Sequence, residues 1–528
     1  MLGPAAVAAS YVVLQLVLVL PGSGLGWDET VYLSQVSPYG PAAFFSAPRA
    51  RGVSFLAAPA ALLSPDPADP LLLRVFLAVA SGVALFAAFA VWRPLLPARV
   101  VTLAAALFTG LWVTVYYGPQ VMPNLWVAYG ALIAVGCFLR AATTPGRPAR
   151  GALAGTAAGV CLVGLMRPPD AVWLVAVLAG AALLVRRWRR PVLLLALAAG
   201  AAVGVAEWVV EAQLRYGGTV ARLRRASEIQ GDLGWHPAVT AHLRALEGRT
   251  LCRPCDVAWR RPVTGLWWLL GTAAVAAGLW TARPTAGPTA RGLRSPAAAD
   301  RPAALPLAAA AGAALGLPYL LLVGYAAPRF LLPAYALLAL PAAAGVLALL
   351  SRGRVLAGTV LVALAGHLAV QYAVLDAVSD RGRANAAAFG RVAAELRGQG
   401  LRPPCVVSGY EAVRVAFRLG CSSRQVGGHD GSITAAGLRT TARDRPVALL
   451  LRDGGPVPEY ARDWRRLPLT RLPGIAAYEA RLAPLPSAGR TVEARGDRSA
   501  NSPANRVVSS GVRQHAFRKG PSNRPPRG

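Results

Sequence analysis

Asp28 and Glu29 stand side by side in Trp27-Asp28-Glu29-Thr30-Val31-Tyr32, a few residues beyond an apolar stretch that opens the chain. Two adjacent carboxylates beside a membrane-length segment are costly to remove from water, and an ordinary loop would carry Ser or Asn more cheaply. A carboxylate here has the chemistry of a general base toward a hydroxyl or amine, provided its geometry and pKa suit. The plainer alternative is a hydrated loop with no task. Three further segments offer cations: Pro48-Arg49-Ala50-Arg51-Gly52, Met166-Arg167-Pro168-Pro169-Asp170, and Tyr325-Ala326-Ala327-Pro328-Arg329-Phe330-Leu331-Leu332-Pro333. Arginine suits a phosphate, because its planar fork donates paired hydrogen bonds and stays charged. Taken singly, each of these arginines would equally serve by reaching to lipid head groups. Tyr32, Asp170 and Tyr325 lie beside these groups and complete the candidate set.

The six cysteines divide. Cys137 and Cys161 fall in apolar stretches and read as small buried side chains. Cys405 and Cys421 bracket a short strand and helix and are the preferred disulfide, and Cys252-Arg253-Pro254-Cys255 is short enough to close its own. His236 and His242 precede that pair, so His236, His242, Cys252 and Cys255 also form a minority tetrahedral zinc reading. His367, in an apolar stretch, reads as packed core. Glu207 and Glu211 lie near the outer end of another apolar stretch, where a membrane-embedded carboxylate is by default a functional candidate and hydration at a helix end is the plainer alternative. No phosphate-cradling glycine loop or nucleotide fingerprint stands out.

The elements that must position these residues follow from composition. The chain has 528 residues, 55% hydrophobic and 15% charged, against about a quarter charged in soluble domains. Mean hydropathy is +0.45. A net charge of +31 is thus better explained by basic loops flanking membrane spans than by nucleic-acid binding. A span needs about 20 mostly apolar residues, and eleven segments qualify: 5–21, 71–92, 99–117, 122–140, 151–167, 170–185, 191–212, 263–281, 303–324, 329–350 and 355–375. Alternate connections hold Arg93 and Arg99; Arg140, Arg147 and Arg150; Arg186, Arg187, Arg189 and Arg190; Arg283, Arg291, Arg294 and Arg301; and Arg352 and Arg354. They share one side, which the positive-inside rule makes cytoplasmic, with the N-terminus inside and the C-terminus outside. The arginine-rich loop 213–262 runs against this count, but a long loop weighs little. The first stretch reads as an uncleaved span, since its start carries no Lys or Arg and Pro21-Gly22-Ser23-Gly24 is a poor cleavage site.

Three regions follow: spans over 1–375 with outer loops 22–70 and 213–262, a small extracytoplasmic α/β domain over 376–485, and a disordered basic tail over 486–528. Residues 376–398 carry Phe389, Val392, Ala393 and Leu396 at amphipathic-helix spacing. The runs Cys405-Val406-Val407-Ser408 and Val447-Ala448-Leu449-Leu450-Leu451 read as strands.

At these residues the chain resembles a known family. Asp28-Glu29 after the first span, the Arg167-Pro168 turn and Pro328-Arg329-Phe330-Leu331-Leu332-Pro333 look like the GT-C glycosyltransferases, particularly bacterial members similar to protein mannosyltransferases and the aminoarabinose transferase of lipid A. The resemblance covers residues 1 to about 375, with the outer α/β domain matching in kind. It implies transfer of a sugar from a polyprenyl-phosphate donor to an acceptor on the outer face of the cytoplasmic membrane, with inversion. It implies Asp28 as base with Glu29 its neighbour, and Arg329, with Arg167 or Arg49 and Arg51, as phosphate partners. The chain departs from the pattern at Met122-Pro123-Asn124, where family members often carry a second acid. An amide orients a substrate but takes no proton at neutral pH, so Asp28 and Glu29 suffice, Asp170 substitutes, or the chain is an inactive relative.

The expectation is therefore an α-helical polytopic membrane protein of GT-C-like architecture, acting on a polyprenyl-phosphate-linked sugar and an unidentified acceptor among membrane lipids. No cofactor beyond a possible divalent cation is implied. The competing class is a transporter or flippase, or a non-catalytic envelope protein on the same scaffold. No internal repeat is evident, and the polar candidates collect at the outer rim rather than mid-membrane, which favours the enzyme.

Overall fold

The computed structural model describes residues 2–64, 70–144, 146, 149–282 and 303–484. The expected basic tail lies outside the described residues, as do Arg147, Arg283, Arg291, Arg294 and Arg301. All eleven apolar stretches form helix. The chain begins with α1 (Leu2–Leu14), which continues as a π turn to Val19, followed by the short α2 (Trp27–Ser34) and α3 (Gly52–Leu63). Next come α4 (Leu71–Ala90), α5 (Ala98–Thr109), α6 (Trp112–Tyr117), α7 (Pro123–Thr143), α8 (Arg150–Met166), α9 (Pro168–Leu184) and α10 (Pro191–Arg215). The long loop after α10 holds α11 (Thr219–Ile229) and α12 (Val239–Ala245); α13 (Leu266–Thr281), α14 (Ala304–Leu321), α15 (Leu332–Leu350) and α16 (Arg354–Gly398) complete the bundle.

Among the described residues eight helices are long and apolar enough to cross a membrane. The expected spans 99–117, 151–167 and 170–185 correspond to shorter helices. The first is interrupted after Thr109, where Gly110 ends α5 and Leu111 turns extended before α6. The expected break at 375 is absent. α16 runs unbroken for 45 residues, about 68 Å at 1.5 Å per residue. Its apolar first half packs on α15, and its amphipathic second half supports the sheet.

Lipid gives helices little hydrophobic reason to associate, so close backbone approach must do the packing. α7, buried along nearly its whole length, meets α8 where a Cβ on Gly159 would lie 2.7 Å from the Gly130 carbonyl oxygen. α13 and α15 approach more closely still: a Cβ on Gly345 would lie 1.9 Å from the Ala274 carbonyl oxygen, and one on Gly278 1.9 Å from that of Pro341.

Beyond α16 lies a five-stranded sheet in the order β2 (Ser422–Ser423), β1 (Val406–Gly409), β3 (Val447–Arg452), β5 (Tyr478–Leu482), β4 (Arg465–Pro468). β2, β1 and β3 are parallel, whereas β5 and β4 are antiparallel. Alternate side chains go to opposite faces. Val407, Ala448, Leu450 and Ala480 join Phe389, Val392 and Leu396 of α16 and the helix α17 (Ala412–Leu419). Val406, Val447 and Leu449 pack on Leu438 of α18 (Ala435–Asp444) and on Trp464. Cys405 and Cys421 are joined, tying the entry of β1 to the exit of α17.

Gly345→Leu should wedge α13 from α15 and cost about 1–3 kcal/mol, the usual price of overpacking. Thermal unfolding in detergent should show the loss, with Gly358→Leu, where a Cβ meets nothing, as the control.

Candidate active site

The site is built on α2. Gly26 caps it, and the Glu29 carboxylate reaches back to accept the Gly26 N–H at 2.8 Å. Glu29 faces inward and is 3% exposed. It also accepts the Val121 N–H at 2.8 Å and Arg74 on both oxygens, at 2.5 and 3.0 Å. Arg74, one turn into α4, donates in addition to the Pro119 and Gly24 carbonyls at 2.7 and 2.6 Å. Every strong acceptor direction of Glu29 is thus taken. The expectation that Glu29 works beside Asp28 in catalysis does not fit this geometry; its carboxylate is a structural tie.

Asp28 occupies the second position of the same helix. Its Oδ1 accepts from Arg49 at 2.9 Å and its Oδ2 from Arg329 at 3.0 Å. Burial pushes the Asp28 carboxyl up, but the Arg49 and Arg329 charges, with Arg414 behind them, outweigh it and hold the group below its usual range.

Each arginine is aimed by its own device. Arg49 lies on the loop before α3, and the fully buried Arg222 of α11 clamps that loop from behind, donating to the Ala47, Trp208 and Arg49 carbonyls at 3.1, 2.7 and 3.0 Å and to Glu211 at 2.9 Å. The Arg222 guanidinium sits between the Trp208 and Tyr216 rings, 4.4 and 4.6 Å from their centres. Arg51 joins this clamp. It pairs with Glu211 at 2.6 Å and Glu207 at 3.4 Å, so both glutamates take part in the same clamp.

Arg329 lies in the short 3₁₀ turn Pro328–Leu331 that leads into α15 and donates to the Thr250 carbonyl at 2.9 Å. Two residues on, Cys252 exchanges backbone hydrogen bonds with Ala326, at 2.8 and 3.2 Å, so the long loop after α10 is stitched to the arginine's own segment. Cys252 and Cys255 are joined in a disulfide, which takes both thiols from the zinc alternative. His242 is buried, which pushes its imidazole down to about 4, and His236 is turned to the Asp232 carbonyl. Among the described residues no cluster of His, Cys, Asp or Glu is arranged to hold a metal ion.

Arg167 joins from the α8–α9 turn. Its guanidinium lies 5.1 Å from the centres of both the Tyr319 and Phe330 rings, and Arg329 lies 5.3 Å from the Phe330 ring. Arg167 pairs with the buried Asp170 at 3.4 Å, and Tyr319 donates to Asp170. Asp170 is thereby committed to its own arginine and tyrosine, away from the role of substitute acid. Tyr325 packs edge-on against Phe330 and carries Arg253 above its ring. Tyr32 lies within electrostatic reach of Arg49, Asp28, Arg167 and Arg329 together. Asn124, at the second residue of α7, is 1% exposed, and neither amide atom has a hydrogen-bond partner among the described residues.

The arrangement is one carboxylate held between the buried Arg329 and the partly buried Arg49 guanidiniums, with a third guanidinium across a shared ring. It can bind an anion and, once the carboxylate is released, accept a proton. Sequence reasoning missed Arg74 and Arg222. An arginine inside an expected span was the available signal for the first; nothing local marked the second.

Two outcomes test these assignments. Arg74→Ala should cost about 3–5 kcal/mol by stranding the buried Glu29 charge. Adding Glu29→Gln should recover part of that loss, which a double-mutant cycle on thermal stability would read. For Asp28, whose folded pKa is lowered, pairing stabilises the protein fully above the ordinary carboxylate range and loses its effect as pH falls through the lowered value. The stability gap between wild type and Asp28→Asn should therefore be flat near neutrality and close in acid; a gap that closes already near pH 6 would contradict the geometry.

No known family model matches the sequence, and no curated protein matches it. Solved structures do match. ArnT from Cupriavidus metallidurans, bound to undecaprenyl phosphate, superposes over 91% of this chain and 97% of its own with a TM-score of 0.60 at 13% identity, and its apo state gives the same values. The archaeal oligosaccharyltransferase AglB from Archaeoglobus fulgidus is a looser likeness, with a TM-score of 0.47 at 11% identity over 84% of this chain and 69% of its own. Through its multi-span helical bundle, the small sheet that follows and the likeness to ArnT, the chain is a polytopic membrane protein with the GT-C fold.

Proposed function

We propose that the protein is an inverting glycosyltransferase that moves a sugar from a polyprenyl-phosphate donor to an acceptor on the outer face of the cytoplasmic membrane. The observation that carries this reading is the Asp28 carboxylate held at 2.9 and 3.0 Å by Arg49 and Arg329. The ArnT structure of like fold, named as bound to undecaprenyl phosphate, supports the donor class.

On this reading the donor phosphate takes N–H donors from Arg329, with Arg167 across the Phe330 ring and Arg49 on the other side. A phosphate and a carboxylate compete for the same guanidinium faces. As the phosphate takes them, Asp28 loses the charges that depress it and its basicity recovers. The acceptor O–H or N–H then attacks the anomeric carbon, and its proton passes to Asp28. The bond from that carbon to the phosphate oxygen breaks, and polyprenyl phosphate leaves with the electron pair. The leaving group is already an anion stabilised by arginine, so positioning and fixed charge supply most of the rate. Asn124, which cannot act as an acid or base, is left an orienting role.

Membranes carrying wild type, Asp28→Asn or Arg329→Ala, supplied with a panel of radiolabelled polyprenyl-phosphate sugars, test the reading. Labelled product should form with wild type, fall at least about 10³-fold with Asp28→Asn, and fall about 10²-fold with Arg329→Ala. Full transfer by Asp28→Asn would remove the base assignment. Donor binding without transfer in wild type would favour a carrier or non-catalytic role.

A further inference from the structure

Arg49 has a second carboxylate within ion-pair distance, and it comes from the far end of the chain. Asp430 Oδ1 lies 3.7 Å from Arg49 Nη1, while Arg49 Nη2 holds Asp28 at 2.9 Å. Asp430 sits in Gly427-Gly428-His429-Asp430-Gly431, beyond the carboxyl end of β2. The base of this loop is fixed: the Gln425 side chain exchanges hydrogen bonds with both the N–H and the carbonyl of Gly409, at 3.2 and 3.0 Å, and Ser432 returns to Gln425 through backbone and hydroxyl at 2.8 and 3.1 Å. Both anchors lie at the carboxyl ends of parallel strands, the edge of an open sheet at which ligand sites gather. That edge faces α2. α17 packs on the helix carrying Asp28, and Thr30 and Ser34 of α2 share a small cavity with Val413, Ala416 and Phe417 of α17.

At 3.7 Å, Asp430 attracts the Arg49 guanidinium without a direct hydrogen bond to it. We propose that Asp430 is a positioning residue, shared with Asp28 through Arg49, which draws Arg49 off the Asp28 carboxylate and opposes binding of an anion at the same guanidinium. The proposal rests on the reading of Asp28 as base and Arg49 as a phosphate partner. Asp28, Asp430, Arg49 and Arg329 sum to zero charge, and the neighbouring Arg414 is matched by Glu411 at 3.2 Å. Arg49 Nη1 also donates to the Ser46 hydroxyl, a neutral partner, so deleting the Asp430 charge leaves the group one unit positive and Asp28 the one carboxylate paired with Arg49 among the described residues.

The test uses the full-length protein in detergent with two readouts, each on wild type, Asp430→Asn, Asp430→Glu and Arg49→Ala. The first is the pH titration of the Asp28 carboxyl by ¹³C NMR with labelled aspartate, assigned through Asp28→Asn. The groups facing Asp28 are Arg49 from the first loop, Arg329 from the turn before α15, Arg414 from α17, and Tyr32 and Tyr117. Only the Arg49 contact changes directly with Asp430, so Asp430→Asn should move the Asp28 titration down by about half a unit or more, and Asp430→Glu should restore it. The second readout is binding of undecaprenyl phosphate, which should tighten about fivefold in Asp430→Asn and weaken in Arg49→Ala. A loop that merely packs would shift neither in these directions. An unchanged Asp28 titration in Asp430→Asn, or the same behaviour from Asn and Glu, overturns the proposal. A wild type that binds no undecaprenyl phosphate, with the Asp28 titration still governed by residue 430, removes the donor assignment and leaves the positioning role standing.

Discussion

The end of the bundle that carries Asp28 is organised around the buried pair between Glu29 and Arg74. Both partners are buried, and each also bonds to backbone: Gly26 and Val121 for the carboxylate, Gly24 and Pro119 for the two terminal nitrogens of the guanidinium. One interaction therefore fixes three segments, the start of α2, the first turn of α4 and the turn before α7. It also decides what Asp28 does. Successive helical residues point about 100° apart, so pinning Glu29 inward swings its neighbour toward the loops that carry Arg49 and Arg329. The adjacent carboxylates divide their work because only one of them can face the interior.

The two guanidiniums that meet Asp28 arrive from segments about 280 residues apart, and each has a separate brace. Arg222, flat between two aromatic rings and bonded to three carbonyls, rigidifies the loop of Arg49. The bridge between Cys252 and Ala326, beside the Cys252–Cys255 disulfide, holds the approach to Arg329. The long loop after α10 thus works as a scaffold for both. Three of its arginines serve within the protein: Arg222 and Arg244 bond to carbonyls, Arg222 also to a carboxylate, and Arg253 lies over a ring.

The bundle was legible because apolar stretches of membrane length leave few alternatives, and the sheet because Val406–Val407 and Val447–Leu451 are runs that only a strand uses well. The continuity of α16 was hidden by a change of character near residue 375. Hydropathy changes there, but backbone hydrogen bonding does not respond to side-chain polarity, and the 3.6-residue period continues into Phe389, Val392 and Leu396. In the site, residue type pointed to Asp28, Arg49, Arg167 and Arg329, and the structure brings these to one end of the bundle. What one sequence could not show was which charges are already spent. Arg51 and Glu211 are 160 positions apart, Glu29 and Arg74 are 45 apart, and no local spacing rule links such partners. Arg74 was the exception, since an arginine inside an apolar run demands a partner wherever that partner lies.

A pattern joins the arginines that reading singled out: each is met by a carboxylate of the protein itself. Arg329 has Asp28, Arg49 has Asp28 and Asp430, and Arg167 has Asp170. Burying three guanidiniums together without counter-charge would cost several kcal/mol each, so a site intended for an anion must carry internal anions in order to fold. The consequence for the proposed donor is that its phosphate binds by exchange, replacing a carboxylate at a guanidinium already desolvated and aimed. Exchange keeps the net gain in binding modest while leaving the displaced carboxylate more basic than before. On the proposed reading, the interaction that lets the site fold without its substrate is thus the one whose loss on substrate binding produces the base.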